Sequence, residues 1–142
     1  QFKESTENSA EFLNSWPGAY ETFKTMNNVH FFPFSEQIEK FYQAADAFVF
    51  YSKLEGMPNV YLEALSSALA IFTTEFEGFS SLYGELDEDY IRLTRTSDID
   101  ASRIFIVSQD LQKFHRLQEK SRNTAKSVFS LNKSIQDYCD IL

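Results

Sequence analysis

Short apolar runs alternate along the chain with segments in which apolar residues recur every three to four positions. This alternation is typical of βα units, in which a helix follows each strand and packs back on the sheet. Four runs are predicted to form strands: Val29–Phe32, Ala47–Tyr51, Ala70–Thr73 and Tyr90–Leu93. The second run, AFVFY, is apolar throughout, which favours a central parallel strand that is covered on both faces.

Helical patterns fill the segments between and after these runs. They predict one helix from near Ser15 to Asn27–Asn28, one that Ser35 caps, one from Pro58 to about Leu69, two between Asp100 and Val128 that are broken near Ser108, and a C-terminal helix over residues 130–142. With right-handed crossovers, this order predicts a three-layer α/β domain with a parallel sheet. One such domain is expected over residues 1–142.

Sheets of this kind bind ligands at the carboxyl ends of their strands. The predicted ends lie near Pro33–Phe34, Ser52–Gly56 and Thr74–Gly78. Glu55 therefore lies where a ligand is expected.

A second carboxylate follows in the segment KLEGMPNVYLEALSSALAIFTT, where Glu63 is the one charged residue between Gly56 and Thr74. A buried carboxylate is costly unless donors satisfy it, and ribose hydroxyls are suitable donors. The amides of the helix start suit an anion such as a diphosphate, and Gly56 permits close approach. Alternatively, Glu55 is a surface residue at the helix start and Glu63 pairs with a nearby Lys or Arg.

The composition limits the remaining function classes. The net charge of −8 over 142 residues disfavours binding to nucleic acid or to an anionic membrane. The single Cys139 excludes an internal disulfide and a cysteine metal site. Lys113–Lys126 is locally basic, which indicates a solvated helix face or a docking surface. Because the chain starts at Gln1 without a Met, we expect it to be a piece of a longer protein.

The stretch NVHFFPF…FYQAADAFVFYSKLEGMPNVYLEALSSALAIFTTEFEG resembles the C-terminal domain of family 4 glycosyltransferases. The matching pieces are VHF, YQAAD, FVFYS and EGMPNVYLEAL. The last piece fits the family's E-x7-E signature, with Glu55 first and Glu63 second. The resemblance covers about residues 27–142 and includes the FS of Phe129–Ser130 before the last helix. It implies the Rossmann-like C-terminal half of a GT-B fold, without the first strand and helix of the family's domain.

The resemblance implies the donor-binding part of a retaining, hexosyltransferase-type enzyme that moves a sugar from a nucleotide-sugar to a glycan, lipid or other acceptor in polysaccharide biosynthesis. Glu55 would be the catalytic residue, beside the hydroxyls of the donor sugar, and Glu63 would bind the ribose. Phe34 would contact the base. Backbone amides would contact the sugar and the diphosphate from Gly56, Met57, Pro58, Asn59 and Val60, where Pro58 itself lacks an N–H.

The resemblance also bears on cofactors and partners. It implies no cofactor and no essential metal, because basic side chains and helix amides neutralise the diphosphate in the family. It implies a nucleotide-sugar donor, an acceptor domain N-terminal to this chain, and membrane contact only through other parts of the protein. The expected location is the cytoplasm or the inner face of the membrane. The chain alone is expected not to turn over.

Three positions depart from the family pattern. Ala68 and Ala70 stand where the family usually has Gly and Pro, and Pro33 replaces a common glycine. The Arg and Lys that usually grip the diphosphate belong to an earlier strand and helix. These departures support an alternative, a degenerate non-catalytic nucleotide-sugar-binding or protein-interaction module of the same fold. A purely structural domain would bind no nucleotide at all.

Overall fold

A computed structural model of the protein describes residues 19–32, 34–52, 54–56, 58–76, 91–94 and 96–139. The chain divides into two compact units, residues 1–36 and 37–142. In the first unit, helix α1 spans Ala19–Lys24, inside the first predicted helix. The expectation of a single domain over residues 1–142 stays a prediction.

The predicted first strand, Val29–Phe32, is wrong, since these residues do not form a strand. Val29 instead donates its backbone amide to the Met26 carbonyl at 3.3 Å. The side chains of Phe31 and Phe32 are 52% and 67% exposed. Strands are favoured where side chains pack on a pleated, half-buried surface, and these two rings are mostly exposed.

In the described part of the second unit, helices and strands alternate up to the strand Ala70–Thr73, as the sequence pattern predicts. Its elements are α2 (Ile38–Ala44), β1 (Ala47–Phe50), α3 (Asn59–Ser66), β2 (Ala70–Thr73), β3 (Ile91–Arg92), α4 (Ser97–Gln109), α5 (Leu111–Val128) and α6 (Leu131–Cys139). The bounds of β2 are those predicted. The break between α4 and α5 falls at Asp110, where the side chain accepts the Lys113 amide at 3.0 Å and caps α5.

The three described strands form one parallel sheet in the order β1-β2-β3. In its register Ala47 pairs with Ala70, and Phe72 pairs with Ile91. All four residues of β2 are buried, whereas Val49 of β1 is 52% exposed. Among the described strands the central position therefore belongs to β2 and not, as predicted, to β1.

The hydrophobic core consists of two clusters, and β2 alternates between them. Ile71 belongs to the first cluster, and Phe72 belongs to the second. The other buried members of the first cluster are Tyr42, Tyr61, Ala64, Leu65, Leu69 and Phe76. The other buried members of the second cluster are Ala70, Leu93, Val107 and Leu117. Because alternate strand residues point to opposite faces, the unit has helices on both faces of its sheet.

Two predicted helix starts are shifted. Gln37, and not Ser35, is the N-cap of α2, and Pro58 is the N-cap of α3 instead of a residue of its first turn. A Schellman motif ends α3, because the Leu69 amide bonds to the Ala64 carbonyl and the Ala68 amide bonds to the Leu65 carbonyl. Ala68 takes the left-handed conformation of this motif, with φ at 58°.

Candidate functional site

A buried threonine fixes the turn that follows β1. The Thr74 hydroxyl donates to the Ser52 carbonyl at 2.6 Å and accepts from the Ser52 amide at 3.0 Å. The Thr74 amide also donates to the Phe50 carbonyl at 3.1 Å. Since Thr74 directly follows β2 and is fully buried, these bonds tie the turn after β1 to the end of the neighbouring strand.

Glu55 lies on this turn, at the carboxyl end of the sheet, where the sequence predicts it. Its side chain is half-buried and accepts a hydrogen bond from the Ser52 hydroxyl at 3.3 Å. That distance is long for a bond between a hydroxyl and a carboxylate oxygen. The contact therefore restrains the carboxylate and leaves it able to accept bonds from a ligand.

The start of α3 lies next to Glu55 in the chain. Gly56 is exposed, and a Cβ added there would meet no atom within 4 Å, so packing within the protein does not require the glycine. Pro58 is buried, and its carbonyl accepts the amides of residues 61 and 62. Asn59 and Val60 form the first turn, whose amides have no intrahelical acceptor and suit an anion. Met57 lies outside the described residues.

Glu63 does not occupy the buried position that the apolar sequence around it suggests. The buried residues of α3 are Tyr61, Ala64 and Leu65, and the Glu63 side chain is exposed. At 100° per residue, those three residues share one face of the helix, and Glu63 lies on the opposite face. The prediction of a buried carboxylate is therefore wrong, although its position in the first two turns of α3 stands.

Glu63 acts on a buried tyrosine that the sequence did not point to. Tyr42 of α2 is 8% exposed, and Glu63 is close enough to perturb the pKa of its hydroxyl. Burial is the largest cause, and together with the interaction of the hydroxyl with the Glu63 carboxylate it raises the pKa of Tyr42 to about 12. At neutral pH the hydroxyl therefore keeps its proton and remains a donor.

A buried carboxylate joins the other strands at the same edge of the sheet. Asp100 of α4 accepts from the Thr94 amide at 2.6 Å, from the Thr94 hydroxyl at 2.9 Å and from the Tyr51 hydroxyl at 3.4 Å. Tyr51 follows β1 and Thr94 follows β3, so α4 links the two strands that flank β2. Arg92, at the end of β3, forms an ion pair with Glu75, which compensates its charge.

The remaining predictions concern the base contact, metal binding and the membrane. Phe34 belongs to the first unit and is 82% exposed, and its contact with a base stays a prediction. Among the described residues no three His, Cys, Asp or Glu side chains are grouped as ligands of a metal ion. In the described part of the chain no helix combines the length and the apolar character of a membrane span.

Residues 20–126 match the family model of glycosyl transferases group 1. The chain belongs to this family. The resemblance stated from the sequence is thus confirmed. A relative from Bacillus subtilis (strain 168), which carries the name teichuronic acid biosynthesis glycosyltransferase TuaC, is 41% identical over 51 residues. That match covers 36% of this chain and 13% of the relative.

Solved structures confirm the α/β fold as the C-terminal half of a GT-B fold. A glycosyltransferase from Rickettsia africae ESF-5 superimposes with a TM-score of 0.74 at 18% identity, covering 95% of this chain and 36% of that one. The C-terminal domain of the group 1 glycosyl transferase LpcC from Francisella tularensis gives 0.60 at 16% identity, covering 91% and 66%. The chain therefore spans only part of the length of these relatives.

Sequence reasoning missed the two residues that support the site. Tyr42 could have been found from the sequence, because a tyrosine at an apolar helical position has a hydroxyl that usually needs a hydrogen-bond partner when it is buried. Thr74 could not have been found in this way, since the β propensity of threonine alone makes it common in and beside strands.

Proposed function

We propose that this chain is the donor-binding part of a retaining glycosyltransferase that transfers a sugar from a nucleotide-sugar to a glycan acceptor. One observation carries the proposal. The turn that Thr74 fixes places Glu55, Gly56 and the start of α3 together at the carboxyl end of a parallel sheet, in a chain of a glycosyltransferase family.

In the proposed complex the Glu63 carboxylate accepts hydrogen bonds from the ribose hydroxyls. Each hydrogen bond to a charged group contributes about 1.5–3 kcal/mol. The first amides of α3, at Asn59 and Val60, bind the diphosphate with help from the helix dipole, which contributes about 0.3–1 kcal/mol at an exposed site. The net charge of −8 opposes the binding of an anion. We therefore expect a weak affinity of this chain alone, near 1 mM, or about −4 kcal/mol.

Glu55 is proposed to contact the donor sugar near the reacting carbon. It precedes Gly56, whose open surroundings leave room for a sugar ring beside the turn. Its one described bond, from the Ser52 hydroxyl, leaves acceptor positions on the carboxylate for sugar hydroxyls. The retaining outcome and a hexose as the transferred sugar belong to this proposal.

The acceptor and the rest of the catalytic cleft are proposed to come from a domain N-terminal to this chain. The name of the relative TuaC, which refers to teichuronic acid biosynthesis, supports a polysaccharide acceptor. We propose no role for a metal ion. We also propose that the enzyme acts on the cytoplasmic side of the membrane. Because the acceptor would bind outside this chain, the proposal predicts no turnover by the chain alone.

The test titrates the purified chain with UDP-, GDP- and ADP-sugars by ligand-observed NMR. Glu63→Gln should weaken the best nucleotide by at least roughly tenfold, as loss of one charged hydrogen bond predicts. Glu119→Gln is the matched control, because it removes the same charge from an exposed site on α5. Unchanged affinity in Glu63→Gln would contradict the ribose assignment.

A second variant separates the sugar from the nucleotide. Glu55→Ala should abolish sugar transfer by the full-length enzyme and leave the affinity for free nucleoside diphosphate within about twofold. Equal losses of both would count against a role at the donor sugar. If the full-length protein binds the nucleotide-sugar but transfers nothing, the chain is the non-catalytic binding module instead.

A further inference from the structure

The backbone of Ser52 is held on both sides by one buried hydroxyl. The Thr74 hydroxyl accepts from the Ser52 amide at 3.0 Å and donates to the Ser52 carbonyl at 2.6 Å. Thr74 is fully buried, and its own amide donates to the Phe50 carbonyl at 3.1 Å. Because these bonds fix the backbone of Ser52, its side chain can change only among the staggered positions about χ1.

The Ser52 side chain takes the position that reaches Glu55. Its hydroxyl donates to Oε1 of the carboxylate at 3.3 Å. Both side chains are half-buried, so water competes less for this bond than it would on an open surface. A glutamate has several rotatable bonds to order, and a donor on a fixed backbone limits where its carboxylate lies.

On the basis of the proposed function, we propose that Ser52 is a positioning residue, which holds Oε1 of Glu55 so that Oε2 accepts a hydroxyl of the donor sugar. A carboxylate accepts through both of its oxygens, and the bond from Ser52 uses one position on Oε1. Order that is imposed before the donor arrives lowers the entropy lost on binding. The sugar is thus coupled through Glu55 and Ser52 to Thr74 in the core.

This role predicts an effect that is selective for the sugar. A nucleotide-sugar gains from an ordered Glu55, whereas the free nucleoside diphosphate has no sugar for Glu55 to contact. Loss of the Ser52 hydroxyl should therefore weaken the nucleotide-sugar and spare the nucleoside diphosphate. If Ser52 only shaped the turn that leads into α3, both ligands would weaken together, because both would use the amides at the start of α3.

The experiment measures dissociation constants by ligand-observed NMR for the best nucleotide-sugar of the UDP, GDP and ADP series and for its nucleoside diphosphate. Ser52→Ala should weaken the nucleotide-sugar roughly two- to tenfold, as loss of one hydrogen bond predicts, and change the nucleoside diphosphate by less than about twofold. Ser52→Thr keeps a hydroxyl at this position, so it should stay within about twofold of the wild type for both ligands. Ser67→Ala is the matched control, because it changes an equally half-buried serine at the other end of α3.

A double variant tests whether Ser52 acts through Glu55. Ser52→Ala combined with Glu55→Ala should bind the nucleotide-sugar like Glu55→Ala alone. If Glu55→Ala weakens the nucleotide-sugar and Ser52→Ala does not, or if Ser52→Ala weakens both ligands equally, the inference is wrong while the role of Glu55 stands. If Glu55→Ala itself leaves the affinity for the nucleotide-sugar unchanged, the proposed contact of Glu55 with the sugar fails and the inference fails with it.

Discussion

The substitution Thr74→Val tests whether one hydroxyl fixes the turn that carries Glu55. Valine keeps the branched shape of threonine and removes both hydrogen bonds to the Ser52 backbone, at 2.6 and 3.0 Å. Each neutral hydrogen bond contributes a net of about 0.5–1.5 kcal/mol, so the two together contribute about 1–3 kcal/mol. A chain of this length changes its melting temperature by roughly 3–5 °C per kcal/mol, which predicts a fall of roughly 3–15 °C.

The assay is thermal and urea unfolding followed by circular dichroism, with Thr73→Val as the matched control. Thr73 is as fully buried as Thr74, but its hydroxyl donates only to the adjacent Thr74 carbonyl, at 2.8 Å. Thr73→Val should therefore lose about half as much stability or less. If Thr74→Val loses no more than its control, the turn is held by something other than this hydroxyl, and the argument for a prearranged Glu55 fails.

Three further predictions concern stability. The folded state raises the pKa of Tyr42 from 10.0 to about 12, so its contribution is complete below about pH 10 and is lost as the pH rises towards 12. Over that range the wild type should lose up to about 1.4 kcal/mol per pH unit more than Tyr42→Phe in urea titrations, and parallel losses would contradict the shift. Phe72→Ala, at a fully buried ring, should cost about 3–5 kcal/mol, whereas Val49→Ala at its half-exposed register partner should cost under about 1 kcal/mol. Ala68→Gly should stabilise by about 0.5–1 kcal/mol, because relief of the left-handed strain exceeds the entropy that glycine adds to the unfolded chain; a lower midpoint in urea would refute this.

The order of elements in the second unit follows from local patterns, and so it could be predicted. The run Ala70–Thr73 forms a strand with the predicted bounds, because a short apolar run between helical patterns suits a strand buried on both faces. The run Val29–Phe32 has a similar composition and forms no strand. The composition of a segment indicates whether it can be buried in a sheet. Whether it is buried depends on neighbours from distant parts of the chain.

The candidate site divides in the same way. The position of Glu55 after β1 follows from the rule for parallel sheets, and the structure agrees. The exposure of Glu63 could not be predicted from the sequence, because it depends on which face of α3 packs against the core. The influence of Glu63 on the pKa of Tyr42 connects two helices separated by β1, and no pattern within either segment encodes it.

Ala68 shows how a departure from the family pattern can leave the backbone intact. The usual glycine of the family suits a left-handed residue after the signature helix, and Ala68 adopts that conformation without one. The hydrogen bonds of Ala68 and Leu69 to the end of α3 and the burial of Leu69 offset the local strain. The change therefore affects stability more directly than it affects the ligand site.

Because β2 contributes to both core clusters, neither face of the sheet can complete its packing alone. An intermediate with one cluster packed would leave alternate side chains of β2, such as Phe72, facing water. β1, a parallel partner of β2, also lies a whole helix away in sequence, so this pairing must wait for the chain to loop back. Assembly of the second unit should therefore be all-or-none, and a ligand that tightens the turn after β1 would slow the unfolding of both faces together.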